Sequence, residues 1–252
     1  MHDRSWQKIF DEYNIHRHNF DDSPFRITAE QIKRACQDFT ETGEKEVRIL
    51  CKQDTKGSRP KVFKDFGLFI LPVKNGEYCI IKGEGYVDIP PINEEPKEYK
   101  SKLSFNLDTA TAGDSEMQHL DYAYATSLIR TFLNDDSLVL TIRGRKYTPN
   151  FEFNVGHHRL QVKSVQTEVD AGYEGKEQVV LIEAKNRLEN NVIIRQLYFP
   201  FRQWQQRTSK RVIPIFFEKS GNLFLFWQFE FEDPENYNSI KLVKSGKFKI
   251  VK

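Results

Sequence analysis

The chain has 252 residues, with 38 Lys and Arg against 36 Asp and Glu (formal net charge +2) and 38% hydrophobic residues. That length admits one large domain or two modest ones, and the apolar share is enough for a sizeable core. The balanced charge excludes an argument for a nucleic-acid partner from net charge alone, and no run nears ~18 consecutive apolar residues, so no membrane span is expected.

The N-terminus is polar and lacks the apolar stretch of a signal peptide. Three cysteines, Cys36, Cys51 and Cys79, lack metal-ligand spacing, and an odd number cannot all pair internally. Reduced thiols in a cytoplasmic protein are the expectation.

In chain order, the segment around Trp6–Tyr13 reads as a short helix, followed by a loop through Asp21–Pro24. Thr28 with Gln31 three residues on forms a capping-box pattern opening a second helix, with Ile32, Ala35, Cys36 and Phe39 as its apolar stripe. Residues 44–52 fit either strand or helix. Residues 55–60 make a basic loop containing Lys56 and Arg59. Phe66–Val73 and Glu77–Ile81 read as strands joined through Asn75-Gly76, the dipeptide that favours a hairpin. Together these form a small α+β, winged-helix-like module. Asp88–Lys102 is rich in proline and glutamate and without periodicity, so it reads as a linker, dividing the chain into 1–95 and 96–252.

Beyond the linker, Glu116–Phe132 reads as one helix capped by Asp114 or Ser115, with Met117, Leu120, Tyr124, Leu128 and Phe132 on one stripe. Leu138–Ile142 and Phe151–Val155 read as strands separated by a basic turn, Arg143-Gly144-Arg145-Lys146. Leu160–Asp170 alternates apolar and polar residues as a half-buried strand does, and 171–178 reads as a loop. Val179–Ile182 is a β-branched run suited to a central strand. Residues 191–206 read as a helix that Pro200 kinks or splits, and strands follow at 211–217, 222–231 and 241–252. This order makes an α/β or α+β fold with a mixed sheet.

The chemistry gathers at Asp170, Glu183 and Lys185. Side chains two apart on a strand share a face, so Glu183 and Lys185 point the same way, and Asp170 reaches them from a neighbouring strand. Two carboxylates offer the hard oxygen ligands that Mg²⁺ prefers, and a lysine beside them can orient a water or neutralise a phosphate. A solvated strand face with an ion pair has the same pattern, but here the triplet ends a buried strand.

Asp170 followed by Glu183-Ala184-Lys185, on two strands with a helix before and after, resembles the PD-(D/E)xK nuclease superfamily. Residues 115–124 and 83–88 are similar to bacterial type II restriction endonucleases. The resemblance covers roughly 115–230, and Val169 stands where many members carry proline. It implies a restriction-endonuclease-like core, a mixed central sheet flanked by helices. It also implies Asp170, Glu183 and the Ala184 carbonyl as Mg²⁺ ligands, Lys185 as the group that positions or activates water, and Glu116 as a further catalytic carboxylate. A glutamate in a first helical turn also complements the helix dipole with no catalytic task.

A nuclease has to hold a polyanion. Arg143, Arg145 and Lys146 before the site, Arg187, Arg195, Gln196 and Arg202 after it, and Lys56 and Arg59 in the N-terminal loop are the expected DNA contacts. The expected activity is Mg²⁺-dependent cleavage of double-stranded DNA at a specific sequence by a cytoplasmic bacterial enzyme. A homodimer matching a two-fold site and a DNA methyltransferase of the same specificity are its expected partners. The competing readings are a repair or recombination nuclease on the same fold, and an inert DNA-binding protein.

Overall fold

The structure, a computed structural model, describes residues 2–251. The N-terminal part holds α1 (Asp3–Glu12), β1 (Phe25–Thr28), α2 (Ala29–Ala35), α3 (Thr42–Lys45), α4 (Val47–Leu50), α5 (Lys61–Asp65), β2 (Leu68–Lys74) and β3 (Glu77–Lys82). Thr28 accepts a hydrogen bond from the Gln31 N–H, and the Gln31 side chain accepts one from the Thr28 N–H, which completes the capping box. The segment left open at 44–52 resolves into short helices. The strands form a sheet in the order β1-β3-β2, and Gly76 takes the positive φ (76°) that the hairpin turn needs.

Strand β2 is apolar on both faces because it is covered on both. Leu68 and Ile70 pack with Trp6, Phe10 and Phe63. Phe69, Leu71 and Val73 instead join a second core with Phe153, Phe199 and Trp227 from the other half of the chain. One core lies wholly before the boundary expected near residue 95 and another wholly after it, while the core that β2 joins spans it. Adjacent histidines add to the joint: His157 and His158 donate through Nε2 to the carbonyls of Asp21 (2.8 Å) and Phe20 (3.0 Å). The proline-rich stretch, too, is partly structured. β4 (Tyr86–Asp88) lies ahead of it, and β5 (Lys97–Lys100) within it becomes an edge strand of the main sheet.

After α6 (Glu116–Ala125) and α7 (Leu128–Leu133) come β6 (Val139–Tyr147), β7 (Phe151–Val155), β8 (His158–Val162), β9 (Gln166–Glu174), β10 (Gln178–Lys185) and β11 (Asn191–Ile193). The chain closes with α8 (Ile194–Gln205), β12 (Arg211–Ser220), β13 (Leu223–Phe231) and β14 (Ile240–Val251). The main sheet runs β5-β14-β13-β12-β10-β9-β6, and it is mixed because β10–β12 and β14–β5 are parallel. Helices α6 and α7 cover one face through Leu120, Leu128 and Phe132. On the other face, α8 applies Ile194, Leu197, Tyr198 and Phe201, a stripe at helical spacing. The architecture is α+β with a mixed sheet between helices.

Four local expectations change. The single helix over 116–132 breaks at Thr126-Ser127: the Thr126 hydroxyl donates to the Tyr122 and Ala123 carbonyls, and Ser127 turns left-handed (φ 66°). The strand over 160–170 is interrupted at left-handed Ser164 (φ 54°), so its first half pairs with β7 in a separate hairpin. Strand β9 runs on to Glu174, which shrinks the loop expected at 171–178. The helix expected to begin at 191 starts instead at Ile194, after the short strand β11. Pro200 lies inside α8 without splitting it. Among the described residues, no helix is long and apolar enough to cross a membrane.

Candidate active site

Strands β9 and β10 pair from Val179–Glu174 down to Ile182–Ala171, and there the ladder ends. The cause lies on the other side of β9. Between the pairs Ile142–Gly172 and Gly144–Val169, one residue of β6, Arg143, faces two of β9. The extra residue makes a β-bulge at Asp170-Ala171, a device that re-aims a side chain. Gly144, paired with Val169 next to the bulge, adopts φ 78°, which a side chain would resist. The Asp170 carboxylate then takes over where the ladder stops and accepts the Ala184 N–H at 2.8 Å. In a strand the N–H and C=O of one residue point to the same side, so the Ala184 carbonyl is directed at this gap too.

Glu183 and Lys185 lie at the C-terminal end of β10, where the parallel pair β10–β12 opens. Sites in open α/β sheets gather at such ends. Glu183 Oε1 accepts from Lys185 Nζ (2.5 Å) and from Gln196 Nε2 (2.7 Å), the latter on the first turn of α8. Among the described residues the buried Oε1 of Gln196 has no hydrogen-bond partner. Glu116 opens α6 behind the Ser115 cap. Glu116, Glu168, Asp170, Glu183, Lys185 and Gln196 all line one cleft of about 580 Å³. The expected catalytic set is thus gathered from three elements.

The electrostatics are those of carboxylates short of positive charge. Burial pushes the Glu183 carboxyl up to about 7, with Asp170 adding to the rise and Lys185 opposing it. Asp170 is also raised, first by burial and then by Glu116 and Glu168, against the Ala184 N–H and Lys185. Burial works against the Lys185 charge, but Glu183, Asp170 and Glu116 outweigh it and hold the ammonium protonated.

These residues fit a divalent cation. Two carboxylates and a carbonyl converge where added positive charge would relieve both burial and repulsion. Among the described residues no three His, Cys, Asp or Glu side chains are gathered as a complete cage. Partial protein ligation suits Mg²⁺, which keeps several waters and takes one or two carboxylates plus substrate oxygens.

The expected DNA contacts divide. Arg195 and Gln196 line the cleft, Arg195 lying 3.7 Å from Asp54. Arg143 is half-buried and ion-paired to Asp121, Arg145 pairs with Glu168 (3.2 Å), and Lys146 is half-buried on the same strand. Arg187 is exposed and pairs with Glu189. Lys56 reaches Asp88 (2.8 Å), while Arg59 donates to the Leu68 carbonyl and lies over Tyr86. Arg202 is corrected outright. It is 8% exposed and bonded to the carbonyls of Glu152 and Pro234 and to the Tyr198 hydroxyl, so no phosphate can reach it.

The sequence reading missed the N-terminal part of the cleft lining. Arg48, Lys52, Asp54, Lys74, Asn75 and Tyr78, all N-terminal, line the same cleft as the carboxylates. The Asn-Gly turn was the one legible signal among them.

Residues 81–249 match the domain of unknown function DUF6997. The chain belongs to that family. Residues 3–80 match a second, DUF6996, so the two family segments meet inside β3 of the shared hairpin. The search of curated proteins found no match. A solved structure titled "Crystal structure of SSO0001" is similar at 14% identity with a TM-score of 0.25, over 48% of this chain and 52% of that one. The chain thus spans about half the length of that protein, and so slight a likeness carries no structural argument.

Proposed function

We propose that this member of the DUF6997 family is a Mg²⁺-dependent endonuclease that hydrolyses phosphodiester bonds of double-stranded DNA at a specific sequence, as restriction enzymes do. The observation that carries the reading is the convergence of Glu116, Asp170, Glu183 and Lys185 in one cleft, with the Asp170 carboxylate bonded to the Ala184 N–H.

Asp170, Glu183 and the Ala184 carbonyl would hold the cation. When bound, it supplies Lewis acidity at the phosphate and stabilises charge on the departing oxygen. Lys185 stays protonated beside Glu183, so its part is to donate a hydrogen bond to the attacking water or to a phosphate oxygen, not to remove a proton. Gln196 keeps Glu183 in place through its 2.7 Å bond. A homodimer on a two-fold site and a methyltransferase protecting the same site belong to the proposal.

Plasmid DNA incubated with and without Mg²⁺ tests it. Discrete, Mg²⁺-dependent fragments whose mapped ends share one sequence are expected, and the Asp170→Ala protein should yield none. Undiminished cleavage by that protein sinks the assignment.

A further inference from the structure

We infer that the N-terminal module is the second jaw of the site, with Arg48 on α4, Lys52 just after it and Lys74 at the β2–β3 turn gripping the phosphates of the nucleic-acid strand laid across the carboxylates. The inference rests on the nuclease reading and adds a substrate-holding surface on a different part of the chain.

Three observations carry it. The first is placement. These three cations line the same cleft as Asp170 and Glu183, from a different part of the chain. The carboxylates sit on β9 and β10, whereas the cations come from the segment matched by the other family. A strand with its scissile phosphate at the carboxylates would have its flanking phosphates against these cations.

The second is availability. Among the described residues Arg48, which is exposed, makes no ion pair. Lys74 meets Glu77 with both side chains largely exposed, and Lys52 only approaches Asp54, at 3.7 Å. Exposed pairs of this kind are weak and yield readily to a phosphate. Lys56 and Arg59, the N-terminal cations expected from sequence, are held by Asp88 and the Leu68 carbonyl, and neither lines this cleft.

The third is rigidity. The hairpin that carries Lys74 is packed on both faces, and the Lys163 N–H donates to the Val73 carbonyl at 3.0 Å. This part of the cleft lining is therefore preorganised and does not have to close on its ligand.

The test is a salt titration of binding to a fluorescein-labelled DNA duplex in Mg²⁺-free buffer. The Arg48→Glu/Lys74→Glu protein is compared with wild type and with a Lys97→Glu/Lys100→Glu control. That control changes equal charge on β5, at the far edge of the sheet. Each phosphate contact contributes about 0.9 to the slope of log K against log salt. The Arg48/Lys74 variant should bind about tenfold or more weaker with a slope lower by about 2, while the control stays near wild type. All substituted residues are exposed, and an unchanged thermal melt confirms that the fold is kept. Wild-type affinity and slope in the Arg48/Lys74 variant, or an equal loss in the control, overturns the second jaw while nuclease activity stands. A wild-type protein that neither binds nor cleaves DNA overturns both readings.

Discussion

The carboxylate of Asp170 accepts the backbone N–H of Ala184 at 2.8 Å, at the point where the β9–β10 ladder stops. One side chain thereby completes the sheet and presents its remaining oxygen to the cleft. The two tasks separate by substitution. Asp170→Asn keeps an oxygen for the Ala184 N–H and loses the charge, so cleavage should vanish while the thermal midpoint stays within a few degrees. Asp170→Ala leaves a buried N–H unpaired and should cost a further ~1–3 kcal/mol in urea denaturation. Equal stability of the two variants would contradict this.

Glu183 sets the pH dependence. Its carboxyl is raised to about 7, so a cation should bind poorly below that and more tightly as the proton leaves. Cleavage should rise from pH 6 to pH 8. Stability of the metal-free protein should run the other way. Between the ordinary glutamate range and about 7 the folded state holds a proton that the unfolded state has lost, so stability falls as pH rises through that window. Glu218, also raised to about 7 by burial, adds to the same slope. Thermal melts from pH 5 to pH 8, with and without Mg²⁺, should show the fall in metal-free protein and its reversal by Mg²⁺ at the upper end. At 100 times Kd, bound Mg²⁺ contributes about 2.7 kcal/mol. A metal-free melt that rises across this range would refute it.

Lys185→Ala should lower the cleavage rate by about 10²–10⁴-fold, the span for a positioned proton-bearing group. Duplex binding without metal should survive. A loss confined to binding would reassign Lys185 to the phosphate-holding set.

Arg202 separates structure from recognition. Its guanidinium meets two carbonyls and a tyrosine hydroxyl under cover, and lies over the Phe151 ring. Arg202→Ala should destabilise the fold by roughly 3 kcal/mol or more, since hydrogen bonds to charged groups contribute ~1.5–3 kcal/mol each. The salt slope of DNA binding should not move. A slope lowered by about 1 would return Arg202 to the phosphate contacts.

Phe69 tests whether the two halves of the chain unfold together. It is fully buried on the β2 face that packs against the second core. Phe69→Ala should cost ~3–5 kcal/mol and still unfold in one transition. Two separate transitions would mean that the halves hold together only loosely.

The sequence by itself determined most of the elements and placed Glu183 and Lys185 together at the end of an apolar strand. Periodicity, the Thr28–Gln31 cap and the Asn75-Gly76 turn are local signals, legible because neighbouring residues set them. Glu183 and Lys185 were legible for the same reason: charged residues two apart that end an apolar run are a pattern within a few residues. Tertiary structure decided everything that depended on partners far along the chain. Phe66–Val73 was legible as a strand, but not that one of its faces joins the core of the later half of the chain. The bulge at Asp170 depends on how β6 pairs with β9. Arg202 and Arg48 are the same residue type, yet one is buried and bonded to the Pro234 carbonyl and the other is exposed and lines the cleft. Their burial is set by long-range packing, which no short stretch of sequence encodes.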